Sequence, residues 1–266
     1  ETDGCDEGLL QLTGTATLGM MSSGSFGADP SPEAVQRGRR IFHNARNSHL
    51  NSGNEFACAT CHLEGTEDKQ VWLVPGGQRQ TPSLAGRLKD TAPFNWSGSE
   101  QALQDNMSET IERMGGLGLS AQELADLEQF LMHGLIAPPN PHRVDDTLSE
   151  EQALGKTLFE RADVGCSGCH AGDATTDGLS HDVGTESLVE EQLRELMRDL
   201  LGETSEGLVP LNTPSLRGLF YTAPYLHDGS AETLHDVLTQ TATTMGRTDH
   251  LSEGELDALV AYLLTL

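Results

Sequence analysis

The sequence is poor in apolar residues, in basic residues and in long hydrophobic runs. Hydrophobic residues make up 36% of its 266 residues, which is below the usual fraction for a globular protein. Its 16 Lys and Arg stand against 41 Asp and Glu, so the formal net charge is -25. Such a surface argues against nucleic acid and anionic membranes as partners. No apolar run approaches the roughly 18–20 residues of a membrane span, so we expect no spanning helix.

Cysteine is also scarce, and the first 30 residues do not read as a secretion leader. Residues 1–30 are acidic and rich in glycine and serine rather than basic and then apolar, so we expect an irregular N-terminal lead. Four of the five cysteines fall into two matching motifs. Cys5 is left over, which leaves it no partner for a disulfide within the chain.

The two cysteine motifs are Cys58-Ala-Thr-Cys61-His62 and Cys166-Ser-Gly-Cys169-His170. This spacing is the attachment signature of c-type haem, because two thiols form thioethers to the haem edge while the imidazole points at the iron. A zinc site would pool cysteine and histidine at other spacings. The sequence therefore predicts two covalently bound haem c groups, haem 1 at the first motif and haem 2 at the second. Because this attachment takes place outside the bacterial cytoplasm, we expect an exported, periplasmic chain.

Around these motifs the chain reads as one pattern written twice. Each copy has a Gly-x-x-(Ile/Leu)-Phe helix before its haem motif, a Thr-Pro-Ser-Leu segment after it, and then a Thr-Ala-Pro segment ending in Gly-Ser. Each copy closes on a helix with a capping box, at Ser120 and at Ser252. The predicted fold is mainly α, with two tandem cytochrome c-type haem domains related by internal duplication, at residues 31–140 and 144–266.

Two further features concern the connections of this predicted fold. Residues 137–143 hold three prolines and predict a stiff linker between the domains. The second copy contains an insertion with an acidic helix predicted over residues 187–201, ended by Gly202. No convincing alternating strand pattern is present, so no strands are expected.

The motifs Thr213-Pro-Ser-Leu-Arg217 and Thr222-Ala-Pro-Tyr-Leu-His-Asp-Gly229 carry a resemblance. Over residues 32–266 the chain resembles the bacterial di-haem cytochrome c peroxidase family, which includes MauG-like enzymes. The resemblance implies that peroxide reacts at haem 1 and that haem 2, of higher potential, relays electrons. His62 and His170 match the proximal iron ligands, and Trp96 matches a tryptophan that conducts electrons between the haems.

Two more sites are expected beside the haems. The resemblance implies a calcium ion at the domain interface, held by a side chain at the position of Gln80 and by the carbonyls of Thr222 and Pro224. Gln80 replaces the Asn of the family, which changes the geometry of that site. We also expect Arg217, whose counterpart in the first copy is Ala85, to pair with a haem propionate, because buried carboxylates need a partner.

The distal side of each haem determines its chemistry, because an iron with a free or labile sixth position can bind peroxide. Met114 and Met245, each followed by glycine, lie 16 residues after the Gly of their Gly-Ser pairs and are the candidate distal ligands. Residues 69–78 hold no distal histidine, so haem 1 is either open or capped by Met114, with His43 and His49 as fallback ligands.

A proton shuttle is expected beside the distal pocket of haem 1, since peroxide cleavage consumes protons. Glu109 and Glu112 are the nearest carboxylates after the Trp96 segment, and the alternative for both is ordinary surface charge.

Three functions remain open from the sequence. The first is reduction of hydrogen peroxide at haem 1 with electrons from a small basic cytochrome c or a copper protein. The second is a MauG-like oxidation of residues on a partner protein. The third is a two-haem electron carrier with both irons ligated by His and Met, which would block substrates. A second copy of the chain, in a homodimer, is a further expected partner.

Overall fold

The structure is a computed structural model that describes residues 29–53, 55–74, 77–145, 147–201 and 210–266. Residues 31–266 form one compact unit. The mainly α-helical chain has its helices at α1 Glu33–His43, α2 Cys58–Cys61, α3 Leu103–Arg113, α4 Ala121–His133, α5 Glu150–Glu160, α6 Leu188–Leu201, α7 Leu234–Gln240 and α8 Glu253–Leu263. Its strands are β1 Val71–Val74, β2 Gly77–Gln80, β3 Ser180–His181 and β4 Leu211–Asn212.

Each half is built on one closely packed pair of helices, α1 with α4 and α5 with α8. A methyl group on Gly38 would lie 2.0 Å from the carbonyl oxygen of Asp126, and one on Gly155 would lie 1.9 Å from that of Ala258. No side chain fits at such distances, so glycine is what allows the two backbones to touch. This close approach explains the glycine of the repeated Gly-x-x-(Ile/Leu)-Phe motif.

Each half has its own hydrophobic core around its helix pair. The aromatic residues of the repeated motif, Phe42 and Phe159, are buried in the first and second core respectively. Leucines at helical spacing on the two closing helices, Leu127, Leu131 and Leu259, are buried. The apolar stripes of α4 and α8 are therefore packing surfaces, as their helical spacing predicts.

The helix starts predicted from capping patterns are confirmed. Ser120 Oγ accepts a hydrogen bond from the Glu123 backbone, and the Glu123 carboxylate accepts one from the Ser120 backbone. Ser149 and Gln152 form the same reciprocal pair at the start of α5. At Ser252 the backbone N–H donates to Glu255. These bonds satisfy amide groups that the first turn of a helix leaves without partners.

The expectation that the chain contains no strands was wrong. β1 and β2 pair antiparallel with Val71 opposite Gln80, and β3 pairs with β4 with Ser180 opposite Asn212. The β1 side chains are all exposed or half-buried, so no alternation of apolar and polar residues marks the strand. The second hairpin is hidden in the sequence because residues 182–210 separate its two short strands.

The long segment between β3 and β4 contains α6. The predicted acidic helix over residues 187–201 is confirmed by α6, while the predicted stop at Gly202 lies outside the described residues. Within the described part of the chain, no helix combines the length and the apolar character needed to cross a membrane.

Candidate haem sites and the junction between the halves

The first cysteine of each motif is a half-buried thiol with a raised pKa. Burial raises the pKa of Cys58 and that of Cys166 to about 11. A redox-active Cys-x-x-Cys pair or a thiolate metal site needs the opposite shift, since the thiolate is the reactive form. None of the four motif cysteines is in a disulfide. The thiol environment therefore fits covalent attachment better than a thioredoxin-like or zinc site.

The two motif histidines are held as neutral imidazoles. Burial lowers the pKa of both His62 and His170. His170 Nδ1 donates to the carbonyl of Thr175 at 3.1 Å, which leaves the lone pair of Nε2 for an iron. His62 Nδ1 is buried without a hydrogen-bond partner in the described part of the chain. Two thiols and a neutral imidazole at each motif are the donor set that haem c requires.

A carboxylate lies beside the second cysteine of each motif. In the second half His181 Nε2 is 2.7 Å from Asp177 Oδ2 and 3.8 Å from Cys169 Sγ. These three residues are the one group of three metal-binding side chains found among the residues that the structure describes. In the first half, burial and the neighbouring Asp68 raise the pKa of Cys61. Cys169 belongs to the second haem motif, and a thioether formed there would be a poor ligand for hard cations, so the group is not assigned as a separate metal site.

The two candidate distal methionines lie against the segments that lead into their haem motifs. Met114, half-buried at the end of α3, accepts a hydrogen bond at its carbonyl from the Ser52 backbone. Met245 is followed by Gly246, on which a methyl group would lie 3.9 Å from Cys166 Sγ. Both Met-Gly pairs are thus close to the chain just before their own motif, and their role as iron ligands stays a prediction.

The two candidate proton carriers lie on the outer face of α3. Glu109 and Glu112 are exposed, and Glu109 pairs with Arg113 at 3.9 Å. The fallback ligands His43 and His49 are exposed as well, with their Nδ1 atoms bonded to the carbonyls of Arg39 and Gly118. A catalytic role for either glutamate stays a prediction.

The two halves meet through their repeated Thr-Ala-Pro segments. Trp96 and His227 occupy matching positions of those segments, and their rings pack edge to face with centroids 6.4 Å apart. Gln80 N donates to the His227 carbonyl at 2.6 Å, and Asn212 N donates to the Trp96 carbonyl at 2.8 Å. The Trp96 indole N–H donates to the Gln80 carbonyl at 2.8 Å. Trp96 therefore lies at the junction, where an electron conduit between haems is expected.

Glu190, from the first turn of α6, is buried behind His227 at 1% exposure. Its carboxylate accepts from His227 Nε2 at 2.9 Å and from Arg79 at 2.7 Å, and also from the backbones of Gln78 and Ser187. Burial alone would raise the pKa of Glu190, but the bonds from His227, Ser187 and Arg79 outweigh it and hold that pKa below its usual value. The capping-box pattern at 187–190 was the only signal for this residue in the sequence.

Two arginines cross the junction in opposite directions. Arg87 of the first half donates to the carbonyls of Ser215 and Arg217 in the second. Arg217 donates to the carbonyl of Lys89 in the first half and to that of Asp173 in its own. These bonds fasten the halves to each other, and pairing of Arg217 with a haem propionate stays a prediction.

The side chain of Gln80 and the ring of Pro224 both lie near Gly229, and the calcium site stays a prediction. A methyl group on Gly229 would be 3.3 Å from Gln80 Oε1 and 3.4 Å from Pro224 Cγ. The Gln80 amide oxygen therefore faces the segment whose carbonyls, at Thr222 and Pro224, are the other predicted donors. Oxygen donors without a carboxylate suit a weak calcium site.

The chain is similar to several known proteins. A sequence model of the cytochrome c family matches residues 152–266. The gamma subunit of hydrazine synthase from Kuenenia stuttgartiensis is 29% identical, over 88% of this chain and 78% of that protein. A solved structure of that organism's hydrazine synthase has a TM-score of 0.73 at 26% identity, covering 90% of this chain and 89% of the other.

Two further relatives are the methylamine utilization protein MauG and a cytochrome c peroxidase. MauG from Methylorubrum extorquens is 26% identical over 89% of this chain and 78% of its own. Cytochrome c551 peroxidase from Nitrosomonas europaea is 31% identical over 46% of this chain and 35% of its own. Over most of its length the chain is therefore similar to proteins of the di-haem cytochrome c peroxidase and MauG-like family. These similarities and the cytochrome c match support an oxidoreductase with covalent haem c.

Proposed function

We propose that the chain carries two haems, one on each half, and reduces hydrogen peroxide to two waters at haem 1. Two electrons come from a small redox protein by way of haem 2 and Trp96, and two protons come from solvent. The observation that carries this proposal is the Trp96 ring at the junction between two halves that each present a neutral motif histidine. When bound, the haem iron supplies the site for peroxide and stores its oxidising equivalents.

The chain's own residues hold and connect the two sites. His62 and His170 would bind the irons, and their low proton affinity keeps them available as ligands at neutral pH. The indole of Trp96 is fixed by its bond to the Gln80 carbonyl and by the edge of His227. A fixed aromatic ring between two redox centres shortens each electron step without any motion of the chain.

Access at haem 1 depends on Met114 and on the proton carriers. A thioether is a weak ligand, so a peroxide molecule can replace Met114 if that side chain reaches the iron. Glu109 and Glu112, on the exposed face of α3, would pass protons inward from solvent.

The charge of the two halves supports a basic electron donor that docks on the second half. Residues 144–266 hold 23 Asp and Glu against six Lys and Arg, whereas residues 31–140 hold 13 against nine. A basic cytochrome c or a basic copper protein would therefore be steered to the half that holds haem 2. We also propose periplasmic export, a calcium ion at Gln80, as the family resemblance implies, and a homodimer.

Steady-state turnover of peroxide tests the proposal. The purified di-haem protein should oxidise two equivalents of a reduced basic cytochrome for each peroxide consumed. Trp96→Phe should lower that rate about tenfold or more, which corresponds to about 1.4 kcal/mol or more in the activation barrier. Trp72→Phe is the matched control, because Trp72 lies in the same half but is half exposed on β1. Wild-type protein without peroxide-driven oxidation of the cytochrome would refute the proposal.

A second candidate function follows from the similarity to a hydrazine synthase subunit, which spans most of both chains. In that case the protein would be one subunit of a larger haem enzyme that acts on small nitrogen compounds. Purification from the native source under mild conditions separates the two functions. A stable complex with other chains, together with a lack of peroxide turnover, would favour the second.

A further inference from the structure

We infer that Glu190 is a positioning residue for electron transfer: through His227 it places a fixed negative charge beside Trp96 and makes that indole easier to oxidise. The inference deepens the proposed function, since it rests on Trp96 as the electron route. It concerns a residue that lies on α6, outside both haem motifs.

Four hydrogen-bond donors hold the buried Glu190 carboxylate in its ionised form. Both of its oxygens accept two hydrogen bonds each, two from side chains and two from backbone amides. Four donors around one carboxylate, at 1% exposure, hold it ionised and fix its position. Because one of the side-chain donors is His227 Nε2, the carboxylate also fixes the tautomer and the orientation of that ring.

Glu190 joins parts of the molecule that the repeated pattern does not itself connect. Glu190 lies on α6, in the 29-residue segment between β3 and β4. The hairpin of the first half is much shorter, because only residues 75 and 76 separate β1 from β2. From α6, Glu190 binds Gln78 and Arg79 of the first half and His227 of the second. A capping box needs only the bonds with Ser187, so the contacts with Arg79 and His227 go beyond capping.

The chemistry of the indole explains why this charge matters. When Trp96 gives one electron to an oxidant, no bond breaks and the ring is left with one positive charge. Its N–H proton is held by the Gln80 carbonyl, which is too weak a base to remove it, so the radical stays cationic. Glu190 pairs with Arg79 at 2.7 Å, and replacing the carboxylate with a neutral amide would remove one negative charge from this buried cluster. Loss of that charge makes the cationic radical less stable, and the effect is larger where water is scarce.

Photo-oxidation of the di-haem protein tests this without peroxide. A ruthenium polypyridyl complex with a sacrificial acceptor oxidises tryptophan, and electron paramagnetic resonance of the frozen sample counts the radicals. Trp96→Phe identifies the signal that belongs to Trp96. We expect Glu190→Gln to lower that signal about tenfold, the effect of about 1.4 kcal/mol. Glu190→Asp, which keeps the charge, should restore most of it.

Two control variants distinguish an effect of charge on the Trp96 signal from an effect of lost packing. Glu123→Gln changes the capping-box glutamate of α4, which bonds to Ser120 away from the junction, and should leave the Trp96 signal within about twofold of wild type. Arg79→Gln removes the positive member of the pair and should raise the signal. Opposite effects at Arg79 and Glu190 are a signature of charge that loss of packing would not give.

Three results would overturn the inference: an unchanged signal in Glu190→Gln, a fall of equal size in Arg79→Gln, or a signal that persists in Trp96→Phe. If Glu190→Gln fails to fold, the comparison of Arg79→Gln with wild type still shows whether charge changes the Trp96 signal in the expected direction. Since no peroxide is used, loss of peroxide turnover in the wild type would refute the proposed function while leaving this result standing.

Discussion

Glu67 is a buried carboxylate that the second half replaces with a neutral residue. It is 8% exposed, and its Oε2 and the nearby Ser83 Oγ have no partners in the described part of the chain. Asp68 and Asp177 lie beside matching cysteines, so the counterpart of Glu67 is Thr176, whose hydroxyl donates to a carbonyl at 2.7 Å. Burial outweighs the nearby Ser83, Lys69 and Arg87 and raises the pKa of Glu67.

This raised pKa predicts a pH dependence of stability. Between the unfolded and the folded pKa of Glu67 the native state binds more protons than the unfolded state, so stability falls as the pH rises through that window. Glu67→Gln should remove this fall and stabilise the protein at neutral pH by about 1 kcal/mol, or about 2–4 °C in Tm.

Thermal unfolding of the di-haem protein between acidic and neutral pH measures this effect. Glu64→Gln is the control, since Glu64 is exposed three residues earlier in the chain. If Glu67→Gln shows the same pH profile as wild type, Glu67 does not carry an ionisation penalty.

The helix pairs α1–α4 and α5–α8 depend on one glycine each. Gly38→Ala or Gly155→Ala would force a methyl group into a backbone carbonyl of the opposite helix, so the two helices would have to separate. We expect each substitution to destabilise the protein by about 2–3 kcal/mol, as measured by denaturant unfolding.

Gly254→Ala is the matched control for both substitutions. Gly254 also lies in a helix, α8, but a methyl group there would meet nothing within 4 Å. That substitution should be neutral or stabilise by up to about 1 kcal/mol, because alanine restricts the unfolded chain. Equal stability of all three variants would show that the close approach does not limit the packing.

The elements with local signals could be predicted from the sequence, and those set by distant contacts could not. α4 and α8 start at their predicted capping residues, Ser120 and Ser252, because the capping box is complete within four residues. The hairpins were missed because the exposed side chains of β1 and the 29 residues between β3 and β4 leave no periodic pattern.

The candidate site divides in the same way. The haem motifs and Trp96 are contiguous patterns, so their residues could be named in advance. Glu190 acts through His227, 37 residues away, and through Arg79, 111 residues away. Only the folded chain brings these three together, and the sequence offers no local reason to pair them.

The molecule as a whole joins two halves, each with its own haem-attachment motif, by reciprocal contacts around the Trp96–His227 ring pair. Backbone bonds at Gln80 and Asn212 and the crossed arginines Arg87 and Arg217 connect the halves within one compact unit. In the proposed electron transfer these contacts would hold the ring pair in place, so an electron could cross without domain motion.

Electron paramagnetic resonance of the purified protein, fully oxidised and then after one reducing equivalent per chain, tests this account most directly. Two ferric haems in different surroundings should give two distinct signals. The first electron should remove the signal of the higher-potential haem and leave the other. A chain with a single ferric haem signal, or two signals that decline together, would contradict a relay between two unlike haems.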